Sequence, residues 1–212
     1  MGREQLTLEE TRQMFLYVAD RIEGSKDLLT RVDRAIGDGD HGIGMARGFE
    51  AVRGKLEGQT LTTIASLLRT VGMALVTSVG GAAGAVFGTW FVGGAKGLGN
   101  EEHLDSQVLA LALVGGLEAV KQRGRASLGD KTMVDALEPA ARQAEEMVAC
   151  PLDETLEAAT EAARQGMERT KEMVATIGKA KTLGDRSVGH PDPGAMSVYL
   201  ILKSMTEYVK GP

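Results

Sequence analysis

Apolar residues that recur at three- and four-residue steps, interrupted four times by glycine-centred segments, constrain the fold of this chain more than any other feature. Leu61, Ile64, Leu67, Leu68, Val71 and Leu75 show the spacing well, and no stretch alternates with the period of two that a half-buried strand needs. The pattern predicts an all-α bundle of about eight helices, a single domain over residues 1–212 with no repeat and no linker. Thr7-Leu-Glu-Glu10 has the form of a capping box and opens a helix to about residue 23. Further helices are expected at about 25–36, 43–56 and 61–77, then from the second glycine segment to about 97. Others are expected at about 104–123, after Met133, at about 153–177 and at about 195–209. Pro139 should start or kink its helix, because proline lacks the N–H and clashes with the preceding turn.

A chain of 212 residues can bury a core without metals or disulfides. Glycine is abundant (28 residues), but proline is rare and no segment is of low complexity, so the glycine signals close helix packing and tight loops rather than disorder. The single cysteine, Cys150, allows no internal disulfide and reads as a structural or surface thiol in a reducing compartment. The polar, acidic N-terminus is not a signal peptide, and no apolar stretch reaches the ~20 residues of a membrane span. A net charge of −5 argues against sequence-independent nucleic-acid binding, which relies on Lys and Arg. A cytoplasmic protein without membrane or direct nucleic-acid contacts is expected.

Chemistry concentrates in the stretch from Arg31 to Gly42, where Asp33, Asp38 and Asp40 lie among glycines 37, 39 and 42. Glycine lets the backbone turn sharply enough for the three carboxylates to converge, and converging like charges need a cation between them. Oxygen-only ligands favour a hard ion, Mg2+ or Ca2+. The twelfth position counted from Asp38 is Phe49 rather than Glu, which excludes an EF-hand and leaves a Mg2+–phosphate site as the reading. An Asp-Gly-Asp segment alone would equally be a solvated turn. Asp33, at the end of an apolar-periodic helix, and the three other glycine loops favour the metal site.

Gly80-Gly-Ala-Ala-Gly84 opens a helix, where unpaired N–H groups and the helix dipole can bind phosphate; small residues there serve helix packing just as well. Lys131-Thr132 resembles the end of a P-loop, but the full motif and its preceding strand are missing. His190-Pro-Asp-Pro-Gly194 is a rigid turn in which Asp192 can cap a helix begun by Pro193. His103 reads as a surface residue.

Taken together, Asp33 with Gly37-Asp-Gly-Asp-His-Gly42, Gly80-Gly-Ala-Ala-Gly-Ala-Val-Phe-Gly-Thr89, Gly129-Asp-Lys-Thr-Met133 and Gly189-His-Pro-Asp-Pro-Gly194 resemble the nucleotide-binding L subunit of dihydroxyacetone kinases, over nearly the whole chain. The resemblance implies a closed barrel of eight antiparallel helices with ADP/ATP and two Mg2+ ions held by loops at one end. Asp33, Asp38 and Asp40 would be the catalytic metal ligands. His41, Gly42, Ile43, Gly44, Ala82, Ala83, Gly124, Met133, Lys179, Asp192, Pro193 and Gly194 would contact the nucleotide.

It also implies partners: a K subunit that holds dihydroxyacetone covalently through a histidine, a phosphotransferase-system protein that recharges bound ADP, and a transcription regulator. The alternatives are an ATP-dependent kinase of dihydroxyacetone or another short ketose, and a non-catalytic, nucleotide-binding regulator. Two departures bear on affinity. The family commonly has Ser where Ala83 stands, and some members have Arg where Lys179 stands.

Overall fold

A computed structural model describes residues 2–211. Among the described residues, nine α-helices run in the order α1 (Leu8–Gly24), α2 (Lys26–Ile36), α3 (His41–Gly58), α4 (Ile64–Ser78), α5 (Gly81–Gly94), α6 (Ser106–Gly124), α7 (Val134–Glu146), α8 (Leu152–Arg169) and α9 (Pro193–Lys210). Helices α3 to α9 each pack on the next, α1 packs on α3, and α9 packs back on α1, so eight helices close a ring. Short connections between packed neighbours make successive helices antiparallel. The ninth helix, α2, packs against α3, α9 and a 3-10 segment at Lys179–Ser187.

The capping box at Thr7 forms as expected: Glu10 N–H donates to the threonine hydroxyl at 3.2 Å, and the Glu10 carboxylate accepts from Thr7 N–H at 2.8 Å. Helix α4 starts later than its apolar spacing suggests, because Thr63 and Ser66 form a second box at 3.1 Å in each direction. Asp105 caps α6 through Val108 N–H at 2.8 Å.

All four phenylalanines and the tryptophan are buried. Phe15 of α1 meets Phe91 of α5 edge-on at 5.8 Å, and Phe91 stacks on Trp90 at 4.7 Å. Helices α4 and α5 approach through Gly72 and Gly88: a Cβ on either would lie 2.7 Å from the other's carbonyl oxygen. A Cβ on Gly116 of α6 would lie 2.6 Å from the Trp90 oxygen of α5. Such distances are well inside van der Waals contact, so glycine is what lets these helix axes come together.

Four expectations are corrected. Residues Gln5–Thr7 (β1) and His103–Asp105 (β2) form a small antiparallel sheet with Leu6 opposite Leu104, too short for a period-two signal; His103 in it is exposed. Helix α5 ends at Gly94 rather than near residue 97. Helix α8 stops at Arg169 rather than near residue 177: the chain tightens into a 3-10 turn at Thr170–Glu172, whose Thr170 carbonyl accepts from Met173 N–H at 3.2 Å and from the Lys131 ammonium at 2.5 Å. Pro139 does not start α7, which begins at Val134. The carbonyl of Asp135, which proline leaves without its helical donor, packs against Gly166 of α8, where a Cβ could not fit.

Candidate functional site

The first glycine loop gathers the carboxylates. Gly37 N–H donates to the Asp33 carbonyl at 2.6 Å and ends α2 in extended backbone. The Asp33 carboxylate, buried, then accepts the N–H of His41, the first residue of α3, at 3.1 Å. Gly39 takes φ +80°, a conformation that favours glycine, and brings Asp38 and Asp40 round to the same side. One oxygen from each of Asp33, Asp38 and Asp40 lies within 4.8 Å of the others. Three carboxylates offering only oxygen suit a hard divalent cation. Lys179 reaches this cluster, donating to Asp38 at 2.5 Å and to Asp40 at 3.2 Å. That hydrogen bond holds the Asp38 carboxyl below the usual carboxylate range and raises the lysine in turn.

His41 points inward. Its Nε2 lies 2.7 Å from the Ser197 hydroxyl, which donates onward to the Pro193 carbonyl at 3.0 Å, so the ring donates from Nε2. Burial pushes its pKa below the ordinary histidine value and keeps it neutral at pH 7. It thereby ties the first loop to the start of α9.

Helix α5 begins at Gly81 (φ +57°), after Gly80 (φ +81°), with no side-chain cap, so its first N–H groups remain free for a ligand. They border a cavity of 380 Å³ lined by Asp33, Asp40, His41, Ile43, Gly44, Arg47, Val79, Gly80, Gly81, Ala82, Ala83 and Lys179. A second cavity of 290 Å³ adjoins it, sharing His41, Ala82 and Ala83. Its walls are mostly apolar (Val86, Phe87, Val120, Ala126, Met133, Val134 and Ile177), with Gly124, Thr132, Gly178, Asp192 and Gly194. One end of the combined groove is charged and the other is apolar.

The third and fourth loops are locked together beneath the apolar end. Lys131 is 2% exposed and donates to the carbonyls of Thr170 at 2.5 Å and His190 at 2.6 Å. Burial lowers its pKa, partly offset by Asp192 and Asp135. Asp135 accepts the N–H groups of Gly129 at 2.6 Å and Thr132 at 2.7 Å. Asp192 caps α9 through Ala195 N–H at 2.8 Å, with Pro193 opening the helix. Removal from water pushes the Asp192 carboxyl up to about 7.

Of the residues singled out in the sequence, Asp33, Asp40, His41, Ile43, Gly44, Ala82, Ala83, Gly124, Met133, Lys179, Asp192 and Gly194 line the groove, and Asp38 joins the acidic cluster. Gly42 and Pro193 do not line it. Gly42 packs on α2, where a Cβ would lie 2.6 Å from Thr30 N. Sequence reasoning missed Arg47 and the apolar wall. Arg47 stands three residues after Gly44 on one face of α3, a helical spacing that could have found it.

Helix by helix, this architecture has known counterparts. The structure resembles the dihydroxyacetone kinase of C. freundii in complex with AMP-PNP and Mg2+, with a TM-score of 0.72 and 26% identity; the match covers 98% of this chain and 35% of that longer one. The chain is 37% identical to the ADP-binding subunit DhaL of PEP-dependent dihydroxyacetone kinase 1 from Listeria innocua, covering 89% of this chain and 90% of that one. It is 38% identical to the corresponding subunit from Escherichia coli, covering 88% and 90%. These relatives are phosphotransferases acting on an alcohol group. Residues 35–207 match the DAK2 domain, and the chain belongs to that family.

Proposed function

We propose that this chain is the nucleotide-binding subunit of a dihydroxyacetone kinase, holding ADP/ATP with two Mg2+ ions and passing a phosphoryl group to dihydroxyacetone on a separate K subunit in the cytoplasm. The observation that carries the reading is the two-ended groove: an acidic cluster and helix N-terminus at one end, an apolar chamber of base size at the other. Asp33, Asp38 and Asp40 would hold the metal, which when bound neutralises phosphate charge. The α5 N–H groups with Ala82 and Ala83 orient the phosphates, and Gly44 with Ile43 flanks them. Met133, Gly124 and Gly194 enclose the nucleoside. Gly42 and Pro193 act indirectly, seating α3 and α9.

Phosphoryl transfer needs positioning more than covalent help. The acceptor hydroxyl oxygen bonds to the terminal phosphorus as the bridging P–O bond breaks; the bridging oxygen and its electron pair stay with ADP, and the hydroxyl proton passes to solvent. The basin that adjoins the groove at Arg47 and Gly80 is open rather than enclosed, which supports an acceptor held by the partner. The PEP- and PTS-dependent names of relatives such as the Lactococcus lactis subunit support recharging of resident ADP by a phosphotransferase-system protein.

Two measurements test this. Protein purified without added nucleotide and then denatured should release ADP in one-to-one ratio; an empty protein that binds ATP weakly would favour exchange with free ATP. Asp38→Ala should abolish transfer to a supplied K subunit with its helical content intact, and surviving transfer would refute the metal assignment.

A further inference from the structure

The geometry points to Arg47 as the residue that recognises the outermost phosphate of the nucleotide, an inference that rests on the reading above. Its guanidinium is fixed by the end of α4: Nε donates to the Ser78 carbonyl at 2.6 Å and Nη2 to the Val79 carbonyl at 2.7 Å. Carbonyls at a helix C-terminus attract a cation, so the side chain is held before any ligand arrives. An arginine has five N–H donors. These two bonds use two of them and leave three.

Arg47 is also the cation of the charged cavity without a carboxylate partner. Lys179, the other lining cation, is engaged by Asp38 and Asp40. Among the described residues no carboxylate oxygen lies within 4.0 Å of the Arg47 guanidinium, while Nη2 lies 3.2 Å from where a Cβ on Gly80 would stand. It therefore stands beside the glycine backbone that opens α5, as an unneutralised, pre-oriented fork. Such a fork matches two phosphate oxygens at once.

Its place in the groove says which phosphate. Arg47 lines the charged cavity but not the apolar chamber, and it also borders an open basin of 480 Å³ with Glu50, Thr77, Ser78 and Gly80. A nucleotide with its base in the apolar chamber reaches this threshold only with its distal phosphates. The same threshold is the side from which a phosphoryl donor or acceptor can approach. Arg47 then discriminates diphosphate and triphosphate from monophosphate, and it faces the phosphoryl group in transit.

The test is calorimetric titration of nucleotide-stripped protein with ADP, ATP and AMP in excess Mg2+, for wild type, Arg47→Gln and Arg47→Lys. Arg47→Gln should weaken ADP and ATP about 10–30-fold and AMP less than twofold, with Arg47→Lys in between. A residue that merely caps α4 would lower the thermal midpoint and leave the ADP-to-AMP ratio unchanged, and that result overturns the inference. So would equal weakening of all three nucleotides. Wild-type protein that binds none of them would remove the underlying reading and Arg47's role with it.

Discussion

Replacing Lys131 by methionine keeps most of the side-chain stem and removes the ammonium, which isolates what that buried charge does. Two charge-assisted hydrogen bonds disappear, to Thr170 at 2.5 Å and His190 at 2.6 Å, and each such bond contributes about 1.5–3 kcal/mol. Against that, the methionine avoids desolvating an ammonium in a site where burial already lowers the lysine pKa. The net loss should be about 2–4 kcal/mol, or roughly 5–15 °C in Tm for a chain of this size. Urea unfolding followed by far-UV circular dichroism measures it. A local signature should accompany the loss. Amide exchange should accelerate at Gly189, whose N–H donates to the Lys171 carbonyl, and at Asp192, whose N–H donates to Thr170 Oγ1 at 2.9 Å. A change below about 0.5 kcal/mol with unaltered exchange at both amides would refute the clamp.

Three further perturbations probe packing, titration and binding. Gly88→Ala places a Cβ 2.7 Å from the Gly72 oxygen and should cost about 1–3 kcal/mol in urea unfolding, whereas Gly54→Ala, with nothing within 4 Å, should stabilise by about 0.5–1 kcal/mol; equal effects would sink the packing argument. Asp192 has a folded pKa of about 7 against an unfolded value near 4, so the native state binds more protons between these values and its stability falls as pH rises from about 4 to 7. Asp192→Asn should flatten that slope, gaining about 4 kcal/mol relative to wild type between pH 4 and 8; a parallel pair of curves contradicts it. Ala83→Ser adds a hydroxyl where both cavities meet and should tighten ADP binding about tenfold by calorimetry, and unchanged affinity would show that no phosphate oxygen comes within its reach.

What could be read in advance followed a simple division. Local signals were legible: the Thr7 capping box, the helix spacing of Leu67, Val71 and Leu75, the Asp192–Pro193 helix start, and the convergence of three aspartates through glycine turns. Each depends on neighbours in sequence. What escaped depends on partners far along the chain. Lys131 resembled the tail of a phosphate loop, yet it turns inward because carbonyls 39 and 59 residues later accept its protons. The early end of α8 at Arg169 is likewise announced by no residue of α8. Pro139 signals the start or a kink of its helix; it lies inside α7, and Gly166 packs against the carbonyl it leaves free. Arg47 sat in view three residues past Gly44, and its meaning came only from the end of α4 folding beside it.

On the proposed reading, the charges of the groove would couple metal binding to nucleotide binding. At its charged end three carboxylates face two cations, Lys179 and Arg47, and His41 is neutral, so one negative charge remains uncompensated. A polyphosphate approaching that end alone meets repulsion from the acidic cluster even as the α5 N–H groups and Arg47 attract it. A divalent cation alone meets attraction. The carboxylates that oppose the phosphate are the same ones that would hold the metal, so each ligand removes the obstacle to the other. By linkage, the factor by which metal strengthens nucleotide binding equals the factor by which nucleotide strengthens metal binding. On the proposed reading, the apolar chamber and the α5 amides would supply the affinity, and Asp33, Asp38 and Asp40 would make that affinity conditional on the ion.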